Sequence, residues 1–186
     1  MTTSNLQAAF NEVVHRVRSA TVHVYDRRGR GSGVVWADGL IVSNAHVVRE
    51  PYPTIETAAG TARGRLIARD DRRDLAAIHV DLRGLGVRAA DLRDAATLRA
   101  GEFVLAVGNP LGLSGAVASG MLRSAGRRFV VSDVRLAPGN SGGPLTDAAG
   151  RVVGINSMVH GASAYAVPSE AVRAFLEEEG FVWRAA

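Results

Sequence analysis

The chain has 186 residues, of which 47% are hydrophobic and 22% are charged. These proportions are ordinary for a globular protein, and they exclude a mainly disordered chain. The length suits one large domain or two small ones. Because the chain has no cysteine, disulfides, thiol catalysis and cysteine-ligated metal sites are excluded.

All 22 basic residues are arginines, and the net charge is +4. The densest basic runs are at 27–30 and 69–73, and Asp70 and Asp71 interrupt the second run. This pattern predicts a solvated arginine surface rather than a stripe that binds nucleic acid. We therefore expect no nucleic-acid partner.

The N-terminal residues lack the basic cap and apolar run of a signal peptide. No apolar stretch is long enough to span a membrane, so we expect no membrane partner. The expected location is cytoplasmic if Met1 is the native start, and periplasmic or extracellular if a leader has been removed.

The first predicted element is a helix within residues 1–19, because apolar residues recur there at near-helical spacing. Short β-branched or aromatic runs follow, with glycine or aspartate between them. Many short strands without an internal repeat favour an all-β barrel or sandwich. The predicted strands are 21–25, 33–36, 40–43, 64–68, 75–80, 103–107, 116–122, 128–134, 152–158 and 164–167.

A polar, alanine-rich segment at 91–100 divides the strands into two β halves, 20–90 and 101–168. We interpret this segment as a linker. Residues 169–186 are predicted to form a final helix and tail, with Ser169 as the N-cap and Gly180 ending the helix.

The heptapeptide 139–145, Gly-Asn-Ser-Gly-Gly-Pro-Leu, is the first candidate for chemistry. A serine between small residues at a turn can present its hydroxyl and its own N–H to one point. Gly139 can turn its N–H to the same point, so Gly139 and Ser141 are candidates for an oxyanion hole. A plain glycine-rich turn is the alternative.

His46 follows an apolar strand, where a loop can direct its imidazole into a cleft as a general base. Asp74 opens another apolar strand, and a carboxylate at that strand end needs a donor such as an imidazole N–H. An ordinary core or surface role is the alternative for each residue. Asp70 and Asp71 compete with Asp74 but lie outside the strand pattern.

Histidine, aspartate and serine occur in the chain order of the chymotrypsin type of protease, which differs from that of subtilisin and the α/β-hydrolases. The surrounding motifs resemble the protease domain of the HtrA (Deg) serine proteases. They run in that family's order over nearly the whole chain. These motifs are at 31–35, 41–48, 74–78, 98–102, 107–113, 139–145 and 164–169.

The resemblance implies a chymotrypsin-like fold of two six-stranded β-barrels with the active site between them. It implies His46, Asp74 and Ser141 as the catalytic residues, with no metal or cofactor. It also implies that the strand 164–167 forms the facing wall of the specificity pocket. In the peptide-binding alternative, a peptide would add along the edge of this strand. The expected lining is Arg135, Leu136, Ala137, Tyr165, Ala166 and Val167.

Only 18 residues follow Pro168, so we expect the chain to lack a PDZ domain. Relatives often form trimers through their N-terminal segment, and a homo-oligomer is an expectation for this chain. Support for the oxyanion loop is expected from the segments 134–138 and 108–113.

The leading hypothesis is a serine endopeptidase that acts on polypeptides, with unfolded or damaged proteins as the expected substrates. A peptide-binding or chaperone-like module with low turnover is the alternative. An esterase would use the same chemistry, but the chain lacks the Gly-x-Ser-x-Gly elbow of such enzymes.

Overall fold

A computed structural model describes residues 3–109 and 115–181. Helix α1 is Thr3–Ser19 and helix α2 is Ser169–Glu178. The first seven strands are β1 Thr21–Tyr25, β2 Arg30–Ala37, β3 Leu40–Ser43, β4 Thr54–Thr57, β5 Gly60–Arg63, β6 Arg65–Asp70 and β7 Leu75–His79. The other six are β8 Phe103–Gly108, β9 Ala116–Ala125, β10 Val130–Ser132, β11 Pro144–Asp147, β12 Val152–His160 and β13 Ser163–Pro168.

The first half is one antiparallel sheet of seven strands, in the order β5-β4-β1-β2-β3-β7-β6. The N–H groups of Gly64 and Leu66 donate to the carbonyls of Pro53 and Pro51. These bonds bring the two ends of the sheet together, so the sheet curls into a barrel-like layer. The sheet counts seven strands where the predicted barrel has six, because Gly64 alone divides β5 from β6.

The second half is a closed six-stranded barrel, in the order β10-β13-β12-β11-β8-β9. The all-β prediction and the division into two β halves agree with this architecture. Strands β4, β5 and β11 were missed. The β4–β5 hairpin is rich in alanine and polar residues, and β11 begins with a proline, so neither carries the apolar alternation of a typical strand.

Each half has its own hydrophobic core, and a third core fills the space between them. This third core combines Trp36 and Leu75 from the first sheet with Ile155 from the second and Phe175 from α2. The two halves are therefore packed against each other over apolar side chains. That packing fixes the positions of the loops on either side of the cleft.

The sequence predicted Ser169 as the N-cap of α2, but its side chain makes no capping hydrogen bond, and Pro168 holds the N-cap position. Ser169 Oγ instead donates to the Arg93 carbonyl at 2.8 Å and accepts from the Ala95 N–H at 3.2 Å. The hydroxyl thus ties the linker to the start of the last helix. Gly180 follows α2 with a φ of 80°, which agrees with its predicted role at the helix end.

Helix α1 packs its C-terminal half on its own chain, because Val14 and Val17 are buried. Leu6 and Phe10, nearer the N-terminus, remain exposed. Within residues 3–109 and 115–181, no helix combines the length and the apolar character needed to cross a membrane.

Candidate active site

Three side chains predicted from the sequence meet where the two halves face each other. His46 follows β3 and Asp74 precedes β7, and these strands are hydrogen-bonded neighbours. Ser141 lies in the turn before β11 of the second barrel. The site is therefore assembled across the contact between the two halves.

The Asp74 carboxylate accepts hydrogen bonds from both halves. Both of its oxygens lie 2.9 Å from His46 Nδ1, and its Oδ1 also accepts from the His46 backbone N–H at 3.1 Å. From the second barrel, Ser157 Oγ donates to Asp74 Oδ2 at 2.6 Å. The imidazole is thereby held with Nδ1 facing the carboxylate and the rest of its ring toward the cleft.

Burial of the Asp74 carboxylate disfavours its charged form. The hydrogen bonds from the His46 ring, from Ser157 and from the His46 backbone outweigh that effect, so the pKa of Asp74 lies below its ordinary value. Asp74 is therefore an anion at neutral pH. It can orient a neighbouring imidazole and stabilise its protonated form.

Ser141 is linked to this cluster through Ser157. Ser141 Oγ donates to the Ser157 carbonyl at 3.3 Å, and the Ser157 side chain binds Asp74. No hydrogen bond joins Ser141 to His46 among the described residues. Such contacts are often long before substrate binds. Sequence reasoning missed Ser157, whose only local signal is its place in an apolar strand.

Ser32 anchors the turn that carries Ser141 to the first sheet. Its N–H donates to the Ser141 carbonyl at 2.8 Å, and its Oγ donates to the Gly139 carbonyl at 2.7 Å. The same Oγ accepts from the Asn109 N–H at 2.9 Å. This fully buried hydroxyl was also missed, because its partners are distant in sequence.

The N–H groups of Gly139 and Ser141 make no hydrogen bond within the part of the chain that the structure describes. Gly139 has a φ of 105°, a conformation that glycine adopts readily. Free backbone donors on both sides of Asn140 are what an oxyanion hole requires.

The competing carboxylates are engaged elsewhere. Asp70 accepts from the N–H groups of Arg72 and Arg73, and Asp71 forms an ion pair with Arg69 at 2.5 Å. Neither contacts His46, so the geometry favours Asp74 over both.

The predicted pocket residues have different environments. Arg135 is exposed, whereas Leu136 packs against the core of the second barrel together with Ala166. The Ala137 carbonyl accepts the Asn140 N–H at 3.0 Å and so shapes the turn. Leu136 and Ala166 thus share one apolar region, and the exposed Arg135 is placed outside that core.

The prediction that residues 164–167 form an edge strand was wrong. Tyr165 and Ala166 pair with β10 on one side, and β12 pairs with Tyr165, Ala166 and Val167 on the other. A peptide cannot add to a strand that is paired on both sides. Val167 packs into the core between the two halves, and the Tyr165 ring contacts Phe129.

The free edge lies on β12. Up to Asn156, this strand is bonded to Gly142 and Gly143 and then to β11. From Ser157 to His160, it pairs only with β13 among the described residues. The unpaired edge therefore begins beside Ser141.

Of the segment 108–113 that was expected to support the oxyanion turn, Gly108 and Asn109 are described, and residues 110–113 lie outside the described ranges. A Cβ at Gly108 would lie 2.9 Å from Asn140 Cα. This close packing supports the turn directly. Across residues 3–109 and 115–181, no group of three or more His, Asp and Glu side chains is arranged to hold a metal ion.

Residues 31–155 match the trypsin-like peptidase domain family. The chain belongs to this family. The matched region includes His46, Asp74 and Ser141. As the motifs predicted, the chain is a protease domain whose curated relatives are HtrA and DegP-like serine proteases.

Among these relatives is the zebrafish (Danio rerio) serine protease HTRA1B, which is 35% identical over 90% of this chain and 40% of its own length. A Pseudomonas savastanoi protein named "Probable periplasmic serine endoprotease DegP-like" is 37% identical over 69% of this chain and 29% of its own length. The chain thus spans less than half of these relatives.

A solved structure supports the same assignment. The crystal structure of the serine endoprotease from Yersinia pestis superposes with a TM-score of 0.82 at 30% identity, over 91% of this chain and 66% of that one. This similarity confirms the fold class predicted from the sequence.

Proposed function

We propose that the protein is a serine endopeptidase in which Ser141 is the nucleophile. Ser141 Oγ attacks the scissile carbonyl, and His46 takes the hydroxyl proton and later gives it to the leaving amine. Asp74 keeps the imidazole in the required tautomer and stabilises its charged form. The acyl-enzyme is then hydrolysed by water that His46 activates in the same way.

The oxyanion of each tetrahedral intermediate would be held by the N–H groups of Gly139 and Ser141. The turn that carries these donors is held before substrate arrives: Ser32 binds the carbonyls of both residues, and the Asn140 carbonyl, which shares a peptide plane with the Ser141 N–H, accepts the Gly143 N–H at 3.0 Å. Preorganised donors stabilise the transition state without a reorganisation cost.

One observation carries this proposal: a hydrogen-bonded series joins Ser141 to Ser157, Ser157 to Asp74, and Asp74 to His46 across the two halves. A module that only bound peptides would not need a half-buried aspartate against an imidazole beside a half-buried serine. The two free N–H groups further favour catalysis over binding alone.

We propose that the substrates are polypeptides in extended form, as in unfolded or damaged proteins. The edge of β12 beyond Ser157 can add a peptide strand only if that peptide is extended. The apolar region around Leu136 and Ala166 favours a small or medium aliphatic residue on the acyl side of the cut bond.

The decisive experiment is digestion of unfolded casein, with mass mapping of the cut sites, by the wild type and by Ser141→Ala. We expect the variant to fold normally and to lose roughly 10⁶-fold in catalytic rate. Cut sites should follow aliphatic residues. Turnover by Ser141→Ala at the wild-type rate would disprove the proposal, and stoichiometric peptide binding without turnover by the wild type would favour the peptide-binding alternative.

We also propose that the chain self-associates through α1. The exposed fractions of Leu6 and Phe10 are 64% and 37%, and both lie on the part of α1 that its own barrels leave uncovered. Sedimentation velocity should show an oligomer, such as a trimer, that Leu6→Ser with Phe10→Ser converts to a monomer. A monomeric wild type would exclude this association.

A further inference from the structure

A groove lined by arginine side chains runs beside His46 and Ser157. Two adjoining cavities of about 390 and 710 Å³ form it, and they share Arg72, Arg73, Arg128 and Phe129. We refer to it as the arginine groove. Its arginines come from the β3–β4 loop, the end of β6 and the β6–β7 turn, and the β9–β10 turn: Arg49, Arg69, Arg72, Arg73, Arg127 and Arg128.

Two of these arginines are neutralised by nearby carboxylates. Arg69 forms an ion pair with Asp71 at 2.5 Å. Arg73 pairs with Glu178 at 2.8 Å and with Asp70 at 3.4 Å. These side chains line the groove, but their positive charge is largely neutralised by the paired carboxylates.

The other four have no such partner. No carboxylate in the described ranges forms an ion pair with Arg49, Arg72, Arg127 or Arg128, and all four residues are exposed. Arg49 Nε donates to the His46 carbonyl at 2.9 Å, which leaves its other guanidinium donors available. The groove therefore has a surplus of positive charge.

The groove also has an apolar surface beneath this charge. The Arg128 guanidinium lies 5.5 Å from the centre of the Phe129 ring, and that ring packs edge-on against Tyr165 at 5.6 Å. Met158 lines the same cavity with 46% of its surface exposed. This combination fits the methylene groups and the carboxylate of an aspartate or glutamate side chain.

The groove lies on the path of an extended substrate. All strand pairings of the second barrel are antiparallel. A peptide that adds in the same way to the free edge from Ser157, with its reactive carbonyl at Ser141, runs its preceding residues past Met158. Because side chains alternate along a strand, every second side chain of those residues can face the arginine groove.

We propose that the arginine groove binds acidic side chains in the substrate segment that precedes the scissile bond. The peptidase would then select segments with one or more acidic residues upstream of an aliphatic residue. The direction in which the substrate lies rests on the proposed peptidase function. The binding of acidic side chains rests on the charge and shape of the groove alone.

The test uses two labelled peptides that share the same aliphatic residue at the cut bond. One carries glutamate at two positions among the four residues before that bond, and the other carries glutamine there. Binding is measured on Ser141→Ala by fluorescence anisotropy, and kcat/KM is measured on the wild type. We expect the glutamate peptide to bind about five- to tenfold more tightly at low salt, with a smaller difference at high salt.

A matched pair of double variants in the Ser141→Ala background assigns the effect to the groove. Arg72→Gln with Arg128→Gln should make the affinities for the glutamate and glutamine peptides about equal. Arg65→Gln with Arg123→Gln removes the same charge from exposed positions outside the groove, and should preserve the difference. Circular dichroism and thermal unfolding establish that each variant is folded.

Equal affinity of the folded Ser141→Ala protein for the two peptides would overturn the inference. The same holds if the preference survives in the groove variant or disappears in the matched control. If the wild type cleaves neither peptide, the proposed catalytic function fails, while the binding measurement still decides whether the groove selects acidic side chains.

Discussion

Asp74 illustrates how one residue serves both halves of the molecule. Its backbone has a φ of 57°, in the left-handed region that few non-glycine residues occupy. Asn44 Nδ2 donates to its carbonyl at 2.9 Å, and the carboxylate binds His46 and Ser157. These contacts hold a backbone conformation that is costly by itself, and they direct the carboxylate toward the imidazole.

At this residue scale we predict the effect of Asp74→Asn. The amide has an N–H where the carboxylate has a lone pair, so it favours the wrong imidazole tautomer. We expect kcat to fall by about 10⁴-fold on an aliphatic peptide substrate, with little change in thermal unfolding.

Asp71→Asn is the matched control, because Asp71 is exposed and its partner is Arg69. It should keep kcat within about twofold of the wild type, since isolated surface ion pairs contribute little. If Asp71→Asn abolishes activity and Asp74→Asn does not, the assignment of the acidic residue is wrong.

At the scale of elements, the turn before β11 fits closely against β2 and β3 of the first sheet. Gly142 has a φ of 83°, and a Cβ there would lie 2.1 Å from the Ser32 carbonyl oxygen and 2.3 Å from Ser43 Oγ. Ser43 Oγ in turn donates to the Ser32 carbonyl. No side chain can therefore enter between the turn and the sheet without moving one of them.

We predict that Gly142→Ala lowers the free energy of unfolding by about 3 kcal/mol or more, because the backbone conformation and the close contact both oppose it. Urea unfolding followed by circular dichroism measures this change. Activity should fall as well, since Ser141 would shift.

Gly84→Ala separates the cost of the left-handed backbone conformation from the cost of the close contact. Gly84 has a φ of 78°, but a Cβ there would contact nothing within 4 Å. This control should cost only about 1 kcal/mol, the penalty for the left-handed conformation. If both variants lose the same free energy of unfolding, close packing of the turn is not important.

At the scale of the whole molecule, Asp147 connects the linker to the second barrel. Its side chain is only 4% exposed and lies 2.7 Å from Arg151 Nη2 and 3.2 Å from Arg93 Nη1. Arg93, in the linker, also pairs with Glu102 at 2.8 Å. Burial opposes the charge of Asp147, but hydrogen bonds from Arg151 and Arg93 outweigh it and lower the pKa of Asp147.

The lowered pKa determines the sign of a pH effect. The contribution of Asp147 to stability is complete above the ordinary aspartate pKa of 3.8. It decreases as the pH falls below that value and is lost once the pH has passed the lowered pKa of the folded state. We predict that Asp147→Asn lowers the free energy of unfolding by about 2 kcal/mol at pH 7.

Urea unfolding of the wild type and Asp147→Asn at several pH values checks this prediction. The difference between the two proteins should shrink as the pH falls below 4. The exposed Asp81, which forms an ion pair with Arg83, provides the control: the free energy of unfolding of Asp81→Asn should stay close to that of the wild type at each pH, because exposed ion pairs contribute little. If the difference in free energy of unfolding between the wild type and Asp147→Asn grows as the pH falls, the lowered pKa assigned to Asp147 is wrong.

The sequence by itself determined the candidate catalytic residues and most of the strands. His46, Asp74 and Ser141 stand in short motifs whose glycine content and apolar flanks are local properties. Strands with alternating or continuous apolar residues, such as β1 and β7, were predicted within a few residues. Strands and catalytic motifs of this kind can be predicted from the sequence because each pattern depends on residues only a few positions apart.

Only the tertiary structure decided which residues complete the site. Ser157 binds Asp74 across 83 positions, and Ser32 binds Gly139 across 107. The free edge on β12 and the paired state of β13 depend on which strands become neighbours. The arginine groove likewise joins arginines from separate turns. Long-range pairings follow from how the two barrels pack, and no local pattern of residues records that packing.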